Sequence, residues 1–293
     1  MSDLPVLTHH HDTEWFRSAI EFTSAETRFS ARLIEKDYYC SLALIDLRCV
    51  GDSTLAFKGG TCLSKVHADY FRLSEDLDFG ISMPTTSSRK DRSRRIAPFK
   101  AHLGEIASRH PNLHVAQELS GFNNSTQYAG RIAYSSVTTG QDEFIKIEIS
   151  VREPIVEATE LLDTRTILLD PFRGSSAVGV FPCDVLSLRE AYAEKLRAAL
   201  TRPGPVIRDF FDLDHAICSG RIDVTDRSLA DLLRIKLAVP GNEPIDLSSQ
   251  KVERLREQIG TQLRPVLRES DFLRFDLDRA VEQVTEAARR ATG

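Results

Sequence analysis

The stretch LAFKGGTCLSKVHADYFRLSEDLDFGISM, residues 55–83, decides the predicted fold. It begins with a short apolar run and passes through KGGT, residues 58–61, into a segment of helix formers that extends to residue 71. Its last part alternates polar and apolar residues, with Asp76 and Asp78 two positions apart. The pattern predicts a strand, a tight turn, a helix and a second strand.

The strand that contains Asp76 and Asp78 predicts a metal site. Side chains alternate between the two faces of a strand, so both carboxylates are expected on one face while their apolar neighbours enter the core. Two carboxylates on one strand face form a hard-oxygen site that is suited to magnesium. Taken alone, however, such a pair is more often a solvated strand edge.

The Gly59-Gly60 turn predicts a site for phosphate groups. Backbone N–H groups at a helix N-terminus bind anions, and glycine allows a close approach. Nucleotidyl transfer needs such a cradle together with carboxylates that hold metal ions between the attacking and leaving oxygens. Neither GxxxxGK nor GxGxxG is matched, and a Gly-Gly turn alone is often only a turn. The combination with the carboxylate strand indicates a functional site.

The composition predicts a globular protein of one large domain or two modest ones. The chain has 293 residues and a net charge of −5, so no overall basic character indicates a nucleic-acid partner. Neither a run of about 18 apolar residues nor a signal-peptide pattern is found, so we expect a cytoplasmic protein without membrane contact. A disulfide framework and a zinc site are disfavoured because no CxxC pair occurs among the cysteines, which we expect mostly in the core: Cys40, Cys49, Cys62, Cys183 and Cys218.

The rest of the chain predicts strands before residue 182 and helices after it, which gives domains 1–182 and 183–293. Helices are expected over residues 13–47, 96–107 and 187–200 and in most of the chain beyond. Further strands are expected over residues 113–118, 127–136, 143–151 and 166–169. In the third of these, Lys146 and Glu148 share a face, and Glu148 offers a third carboxylate. The histidines at residues 9–11 predict a solvated tail rather than a metal site.

Four motifs, in order, resemble one protein family. KGGTCLSK followed by RLSEDLDF resembles the paired first motifs of the AbiEii-type toxin nucleotidyltransferases, a branch of the DNA polymerase β-like superfamily that includes the MenT toxins. IEKDYY at residues 34–39 is similar to the family's upstream helix, so its charged triplet is expected to be more than a solvated face. AEKL at residues 193–196 and RDFFDL at residues 208–213 resemble the EKL and RDxxDL motifs.

The resemblance implies a role for each matching residue. Asp76 and Asp78 would ligate Mg²⁺, and Glu148 would join them if the third carboxylate of the wider superfamily is kept. Lys195 would neutralise charge on the nucleotide phosphates, and Asp212 with Asp209 would complete the active site. Nucleotide binding is expected from Lys58, Gly59, Gly60, Thr61, Ser64, Lys65 and Ser74. Without the resemblance, Lys195 and Asp209 would be read as members of surface ion pairs of little energetic weight.

The fold expected from the resemblance is a mixed-sheet α/β (α+β) core of the polymerase β-like type, followed by a helical C-terminal domain that completes the cleft. The activity that it implies is transfer of a nucleotide from a nucleoside triphosphate to the 3′ end of tRNA, which blocks aminoacylation and translation, and a cognate antitoxin. Two alternatives stay open: a small-molecule or protein hydroxyl as the acceptor, and a non-catalytic nucleotide-binding module. A positive path for RNA is expected from Arg89, Lys90, Arg92, Arg94 and Arg95, with Arg202 and Arg208 as further candidates.

Overall fold

The chain forms two structural units in the computed structural model, which describes residues 7–48, 50 and 55–293. The first unit extends to Ile155 and includes Thr159–Leu186, and the second consists of Val156–Ala158 and Ser187–Gly293. Cys49 and the turn at residues 51–53, which Gly51, Asp52 and Ser53 predict, lie outside the described residues.

The first unit contains a mixed sheet, as the family resemblance implies. Within the described residues its seven strands run in the order β3-β4-β5-β2-β1-β7-β6. Strand β2 pairs antiparallel with β1 and parallel with β5, and β1 pairs parallel with β7. The strands are β1 (Leu55–Lys58), β2 (Asp76–Ile81), β3 (Leu113–Phe122), β4 (Gln127–Ser135), β5 (Asp142–Ser150), β6 (Glu160–Thr164) and β7 (Phe181–Val185). The expected α/β class is therefore confirmed.

The helix predicted over residues 13–47 is interrupted. The structure has α1 (Thr13–Thr27) and α2 (Ala31–Arg48) instead. Between them Arg28 takes a left-handed conformation with φ 65°, and its N–H bonds to the carbonyl of Ser24, which ends α1. Glycine is the residue that usually signals such a helix end, and none is present here.

The helix that follows the Gly-Gly turn is shorter than predicted. Helix α3 (Gly59–Cys62) continues only as a π-helical turn over Leu63–His67. Asp69 and Tyr70 then take left-handed conformations, with φ 50° and 56°, so the helix cannot reach residue 71.

Two further elements differ from the sequence prediction. The strand expected at residues 166–169 is wrong: this segment makes a single isolated bridge, between Leu169 and Ser176, and the strand that pairs with β7 is β6. Helix α4 (Arg89–Gly104) begins well before residue 96 because Ser88 caps it, accepting a hydrogen bond from the N–H of Asp91. The short helix α5 (Ile106–Arg109) follows.

One face of the sheet is covered by α2 and α4. Leu77 and Phe79 of β2 and Ile145 and Ile147 of β5 point to this face and are buried. On β4, Tyr134 stacks on Tyr39 of α2, with ring centroids 3.9 Å apart. The opposite face therefore receives the polar residues that alternate with these apolar ones.

The described part of the histidine segment packs on the core, so the predicted solvated tail is wrong for residues 9–11. His9–His11 form one 3₁₀ turn. His10 is buried, and its Nδ1 lies 2.9 Å from the hydroxyl of Tyr38. His9 stacks on Trp15 and its Nε2 lies 3.0 Å from the carbonyl of Ala177.

Acidification is expected to destabilise the fold through His10. Its burial, and then the charges of neighbouring histidines, lower the pKa of His10 from 6.5 to about 4. Between these pH values the unfolded chain binds a proton that the folded chain rejects, so stability falls as pH decreases, by about 1.4 kcal/mol per unit. Urea unfolding at pH 7, 6 and 5 measures this loss.

Two variants separate His10 from other acid-sensitive groups. His10→Gln is expected to flatten the fall in stability between pH 7 and 5, because the titrating group is gone. The matched control, His11→Gln, changes an exposed neighbour and should keep the fall. An unchanged pH dependence in His10→Gln would contradict the assignment.

The second unit is built from helices, as predicted for the C-terminal part. Ser187 caps the first of them, accepting a hydrogen bond from the N–H of Glu190. The sequence predicts helix breaks at Pro203-Gly204-Pro205, at Pro240-Gly241 and near Pro244, and all three lie between helices. The α-helices of this unit are α6 (Leu188–Thr201), α7 (Ile207–Cys218), α8 (Arg227–Leu237), α9 (Ser249–Gln258), α10 (Glu269–Phe272, a single turn) and α11 (Leu277–Thr292).

The described cysteines are mostly in the core, as expected. Cys40, Cys62 and Cys183 are buried free thiols, and burial raises the pKa of Cys40 and of Cys183 to about 12. Cys218 is exposed. In the described part of the chain, none of the helices combines the length and the apolar character that crossing a bilayer requires.

Candidate active site

Strand β2 presents Asp76 and Asp78 on the sheet face that α2 and α4 leave uncovered. Both side chains are half-buried, while Leu77 between them is fully buried. In the parallel pairing with β5, Asp76 lies beside Lys146 and Asp78 beside Glu148. Directly paired residues of neighbouring strands point to the same face, so these four charged side chains form one group.

The charges of this group are coupled. The ammonium of Lys146 lies 2.5 Å from the carboxylate of Glu148. Partial burial opposes the charge of Lys146, yet the bond to Glu148 and the nearby charges of Asp76 and Asp78 outweigh it and raise the pKa of Lys146. Among the described residues, no group of three or more His, Cys, Asp or Glu side chains is arranged to hold a metal ion. Glu148 as a third ligand therefore stays a prediction.

Gly59 brings the backbone of the turn directly against Asp78. Gly59 has φ +73°, which disfavours any residue with a Cβ, and a Cβ built there would lie 2.2 Å from Oδ2 of Asp78. Lys58, the last residue of β1, pairs with Asp78 across the sheet. The glycine is thus required both by its own conformation and by the position of the carboxylate.

Gly60 packs against an arginine whose role the sequence patterns did not indicate. A Cβ at Gly60 would lie 2.4 Å from Nη2 of Arg72 and 3.1 Å from Oγ of Ser74. Arg72 is fully buried and bonds to the carbonyl of Leu73. Its place at the start of the RLSEDLDF motif is the only signal in the sequence that could have drawn attention to it.

The polar side chains that follow the two glycines form hydrogen bonds and an ion pair with other residues of the first unit. Thr61 donates a hydrogen bond to the carbonyl of Asp76, and Ser64 donates one to the carbonyl of Arg72. Lys65 is buried and lies 2.5 Å from a carboxylate oxygen of Asp37. These bonds fix α3 to the start of β2, and direct nucleotide contacts by these residues stay a prediction.

The charged triplet of α2 is buried, so it is not a solvated face. The carboxylate of Glu35 accepts hydrogen bonds from the hydroxyl of Ser136 and the N–H groups of Val137 and Thr138. Lys36 lies 2.9 Å from Glu75, immediately before the carboxylate strand. Burial opposes the charge of Glu75, but the cations of Lys36 and Arg32 outweigh it and lower the pKa of Glu75.

Asp37 completes this network, and its removal is expected to be costly. Its Oδ2 also accepts a hydrogen bond of 2.9 Å from the N–H of Ile167. Asp37→Asn should lower the free energy of unfolding by about 3 kcal/mol, because Lys65 is then a buried cation without its counter-charge. Chemical unfolding measures the effect. The exposed Asp163 provides the matched control, and equal stabilities of Asp37→Asn and Asp163→Asn would contradict the interpretation.

The second unit brings together Lys195, Asp209 and Asp212. The ammonium of Lys195 lies 2.9 Å from a carboxylate oxygen of each aspartate, and Asp212 is fully buried. Asp209 and Asp212 are three residues apart on α7 and share one helix face. Arg202 adds a second cation, 3.1 Å from Asp209. The two aspartates and their two cations form a balanced group rather than surface ion pairs.

The basic cluster at the start of α4 does not share the carboxylate face. Helix α4 packs on the opposite side of the sheet, with a cavity of about 310 Å³ between it and β3, β4 and β5. Arg92 is buried, and its guanidinium donates hydrogen bonds to the carbonyls of Thr85 and Asn124. Arg92 is therefore wrong as part of an RNA surface, whereas the neighbouring basic residues are exposed.

Comparisons with known proteins agree with this fold. A comparison with solved structures finds JHP933 from Helicobacter pylori, with a TM-score of 0.50 and 16% identity over 90% of this chain and 93% of that one. A second H. pylori structure, of a candidate nucleotidyltransferase, has a TM-score of 0.52 and 16% identity over 90% and 96%. At such identities the likeness shows the fold alone. A comparison with curated proteins finds no match.

A family model identifies the activity more specifically. The model described as "Nucleotidyl transferase AbiEii toxin, Type IV TA system" matches residues 46–287, most of the chain. The match includes the Gly59-Gly60 turn, the carboxylates of β2 and the Lys195 group. The chain therefore belongs to the AbiEii nucleotidyltransferase toxin family of type IV toxin–antitoxin systems.

Proposed function

We propose that this nucleotidyltransferase uses magnesium and a nucleoside triphosphate to add a nucleotide to the 3′ end of tRNA. The 3′ hydroxyl oxygen forms a bond to the α-phosphorus, the bond from that phosphorus to the bridging oxygen breaks, and pyrophosphate leaves as the hydroxyl proton is released. A tRNA extended in this way cannot be aminoacylated, so translation stops. Family membership further supports a cognate antitoxin as partner, and we propose that both act in the cytoplasm.

The observation that carries this proposal is the contact between the turn and the carboxylate strand. Gly59 leaves no room for a Cβ between the turn and Asp78. Phosphates bound by the N–H groups at the start of α3 would therefore lie next to carboxylates. Phosphates and carboxylates repel each other unless a cation lies between them. In nucleotidyl transfer, bound metal ions are that cation.

The side chains present fit a magnesium ion. Mg²⁺ prefers oxygen ligands and is commonly held by one or two carboxylates, with water and substrate phosphates completing its shell. Asp76 and Asp78 are half-buried carboxylates on one strand face, and the described residues that pair with them on β1 and β5 include neither histidine nor cysteine. When bound there, the metal would stabilise charge on the phosphates during transfer.

The protein's own groups would bind and orient the nucleotide. The turn at Gly59 and Gly60 would receive the phosphates through its N–H groups, and Thr61 fixes α3 to the carbonyl of Asp76. Ser74 lies beside Gly60 at the same point. These contacts connect the turn that would bind phosphates to the strand that would bind the metal, and catalysis requires that such groups are held in position.

We further propose that Lys195, Asp209 and Asp212 are required for the reaction. Lys195→Gln should lower transfer about 100-fold, as expected for loss of a positioned cation. It should also lower the free energy of unfolding by about 3 kcal/mol, because the buried Asp212 loses the ammonium group that lies 2.9 Å from it. Transfer per folded molecule separates the two effects.

Lys236 provides the matched control for Lys195. It is buried in the same unit, with its ammonium 2.6 Å from Glu190 and 3.2 Å from Glu194. Lys236→Gln should lose similar stability but keep the wild-type rate per folded molecule. Equal rates per folded molecule in both variants would give Lys195 a purely structural role.

The proposed acceptor can be tested with labelled nucleotides. Each of the four nucleoside triphosphates, labelled at the α-phosphate, is incubated with the purified protein, magnesium and total tRNA. Label should enter tRNA with at least one nucleotide, and chelation of magnesium should abolish it. Label in protein or in a small molecule instead would favour the alternative acceptors. Absence of label from every product would contradict transfer under these conditions.

A further inference from the structure

The register of the sheet extends the candidate active site along a row of side chains. Asp76 of β2 pairs with Lys146 of β5, and Lys146 pairs with Arg131 of β4. Directly paired residues point to the same face of a sheet. The row therefore begins at a carboxylate, continues with two cations and lies on the face opposite α4.

The two cations in this row lie directly opposite each other on neighbouring strands. Like charges placed directly opposite each other on neighbouring strands destabilise a sheet. Lys146 is balanced by Glu148, whereas Arg131 is exposed and, in the part of the chain that the structure describes, has no carboxylate partner. An anion that binds over Arg131 and the neighbouring Lys146 would supply the negative charge that Arg131 lacks, and a phosphodiester group has the required charge.

An exposed aromatic ring lies next to the two cations. Phe144 is 45% exposed although it lies within strand β5. It is two residues before Lys146, about 7 Å along the strand, and points to the same face. Its partner on β4 is Ala133, whose small side chain leaves the ring open. Exposed aromatic rings on open sheets bind unpaired bases by stacking, with cations beside them for the phosphates.

From these observations we infer that Phe144 stacks on an unpaired base near the 3′ end of the RNA acceptor, and that Arg131 and Lys146 bind an adjacent phosphate. The single-stranded end would then approach Asp76 along the row. The inference rests on the proposed function, because it takes RNA as the acceptor. An acidic peptide would meet the same cations but has no base for Phe144, and a small acceptor would not reach both.

Binding of single-stranded RNA tests this surface directly. The probe is a fluorescein-labelled RNA oligonucleotide that ends in CCA, and fluorescence anisotropy of the full chain gives Kd. Phe144→Ala should weaken binding roughly tenfold, because stacking on one ring is lost. Arg131→Gln should lower the slope of log Kd against log salt by about 0.7, which corresponds to one phosphate contact.

Matched controls come from exposed residues elsewhere in the first unit. Phe172 is 85% exposed, and Arg173 is exposed beside it. Phe172→Ala and Arg173→Gln should leave the Kd and the salt slope unchanged. Circular dichroism verifies that all four variants keep the fold.

Transfer kinetics distinguish failure of this inference from failure of the proposed function. With tRNA as acceptor, Phe144→Ala should raise KM for tRNA about tenfold with little change in kcat. If the wild type labels tRNA but Phe144→Ala and Arg131→Gln bind RNA normally, the proposed RNA-binding surface is refuted and the proposed function is retained. If tRNA is never labelled but both variants bind RNA more weakly than the wild type, the proposed function is refuted and the RNA-binding surface is retained. Failure of the wild type to bind the oligonucleotide overturns the inference.

Discussion

Asp76→Asn and Asp78→Asn are each expected to reduce nucleotide transfer about a thousandfold. Each change removes a negatively charged oxygen ligand from the proposed magnesium site, and metal-assisted stabilisation of transferring phosphates is worth several kcal/mol. Both side chains are half-exposed, so the free energy of unfolding should change by less than about 1 kcal/mol. Single-turnover transfer at saturating magnesium measures the rate.

The exposed Asp163 of β6 serves as the control for this pair. Asp163→Asn makes the same chemical change in the same unit and should transfer at the wild-type rate. A comparison with Glu148→Gln then decides the open question of a third ligand. A loss comparable to that of Asp78→Asn would assign Glu148 to the metal, and a loss below about tenfold would leave it as the partner of Lys146. Near-normal transfer by either Asp76→Asn or Asp78→Asn would contradict the proposed site.

Gly59→Ala is expected to reduce transfer about 100-fold and to destabilise the fold. The added methyl group would lie 2.2 Å from Oδ2 of Asp78, so either the turn or the carboxylate must move. A displacement of about 1 Å in a positioned group can cost a factor of about 100 in rate. The left-handed conformation of Gly59 adds about 1–2 kcal/mol of strain for alanine. Transfer rate and urea unfolding measure the two effects separately.

Gly104→Ala is the control for this steric effect. Gly104 is the last residue of α4, and a Cβ there would meet nothing within 4 Å. The variant should transfer normally and keep its stability within about 1 kcal/mol, because alanine is favoured over glycine in helices. Normal transfer by Gly59→Ala would show that the turn does not hold Asp78 in place.

The placement of the two carboxylates of β2 could be predicted from sequence because it depends on local spacing. Alternation alone places Asp76 and Asp78 on one face, and glycine in the preceding turn is a local signal. The register that puts Glu148 beside Asp78 and Arg131 beside Lys146 could not be predicted. Register depends on pairing between distant segments, and a single sequence does not specify it.

Buried charges were the least predictable feature. In the sequence, Glu35, Lys36 and Asp37 resemble a solvated triplet of charges. Their burial is not evident there, because the residue that each one contacts is distant in the chain. Only the family resemblance suggested otherwise. The three-residue spacing of Asp209 and Asp212 places them on one face of α7. Their contact with Lys195 of α6 could not be predicted, because it depends on how the two helices pack. The helix after Gly60 ends early because Asp69 and Tyr70 take left-handed conformations. Neither residue is a glycine, so the sequence does not signal this end.

The most direct measurement is the mass of the 3′-terminal fragment of tRNA after incubation with the protein, magnesium and the four nucleoside triphosphates. We expect a fragment heavier by one or more nucleotide residues with the wild type, and an unmodified fragment with Asp76→Asn. Unmodified tRNA ends with the wild type, under conditions in which the same protein binds nucleotide, would contradict transfer to tRNA.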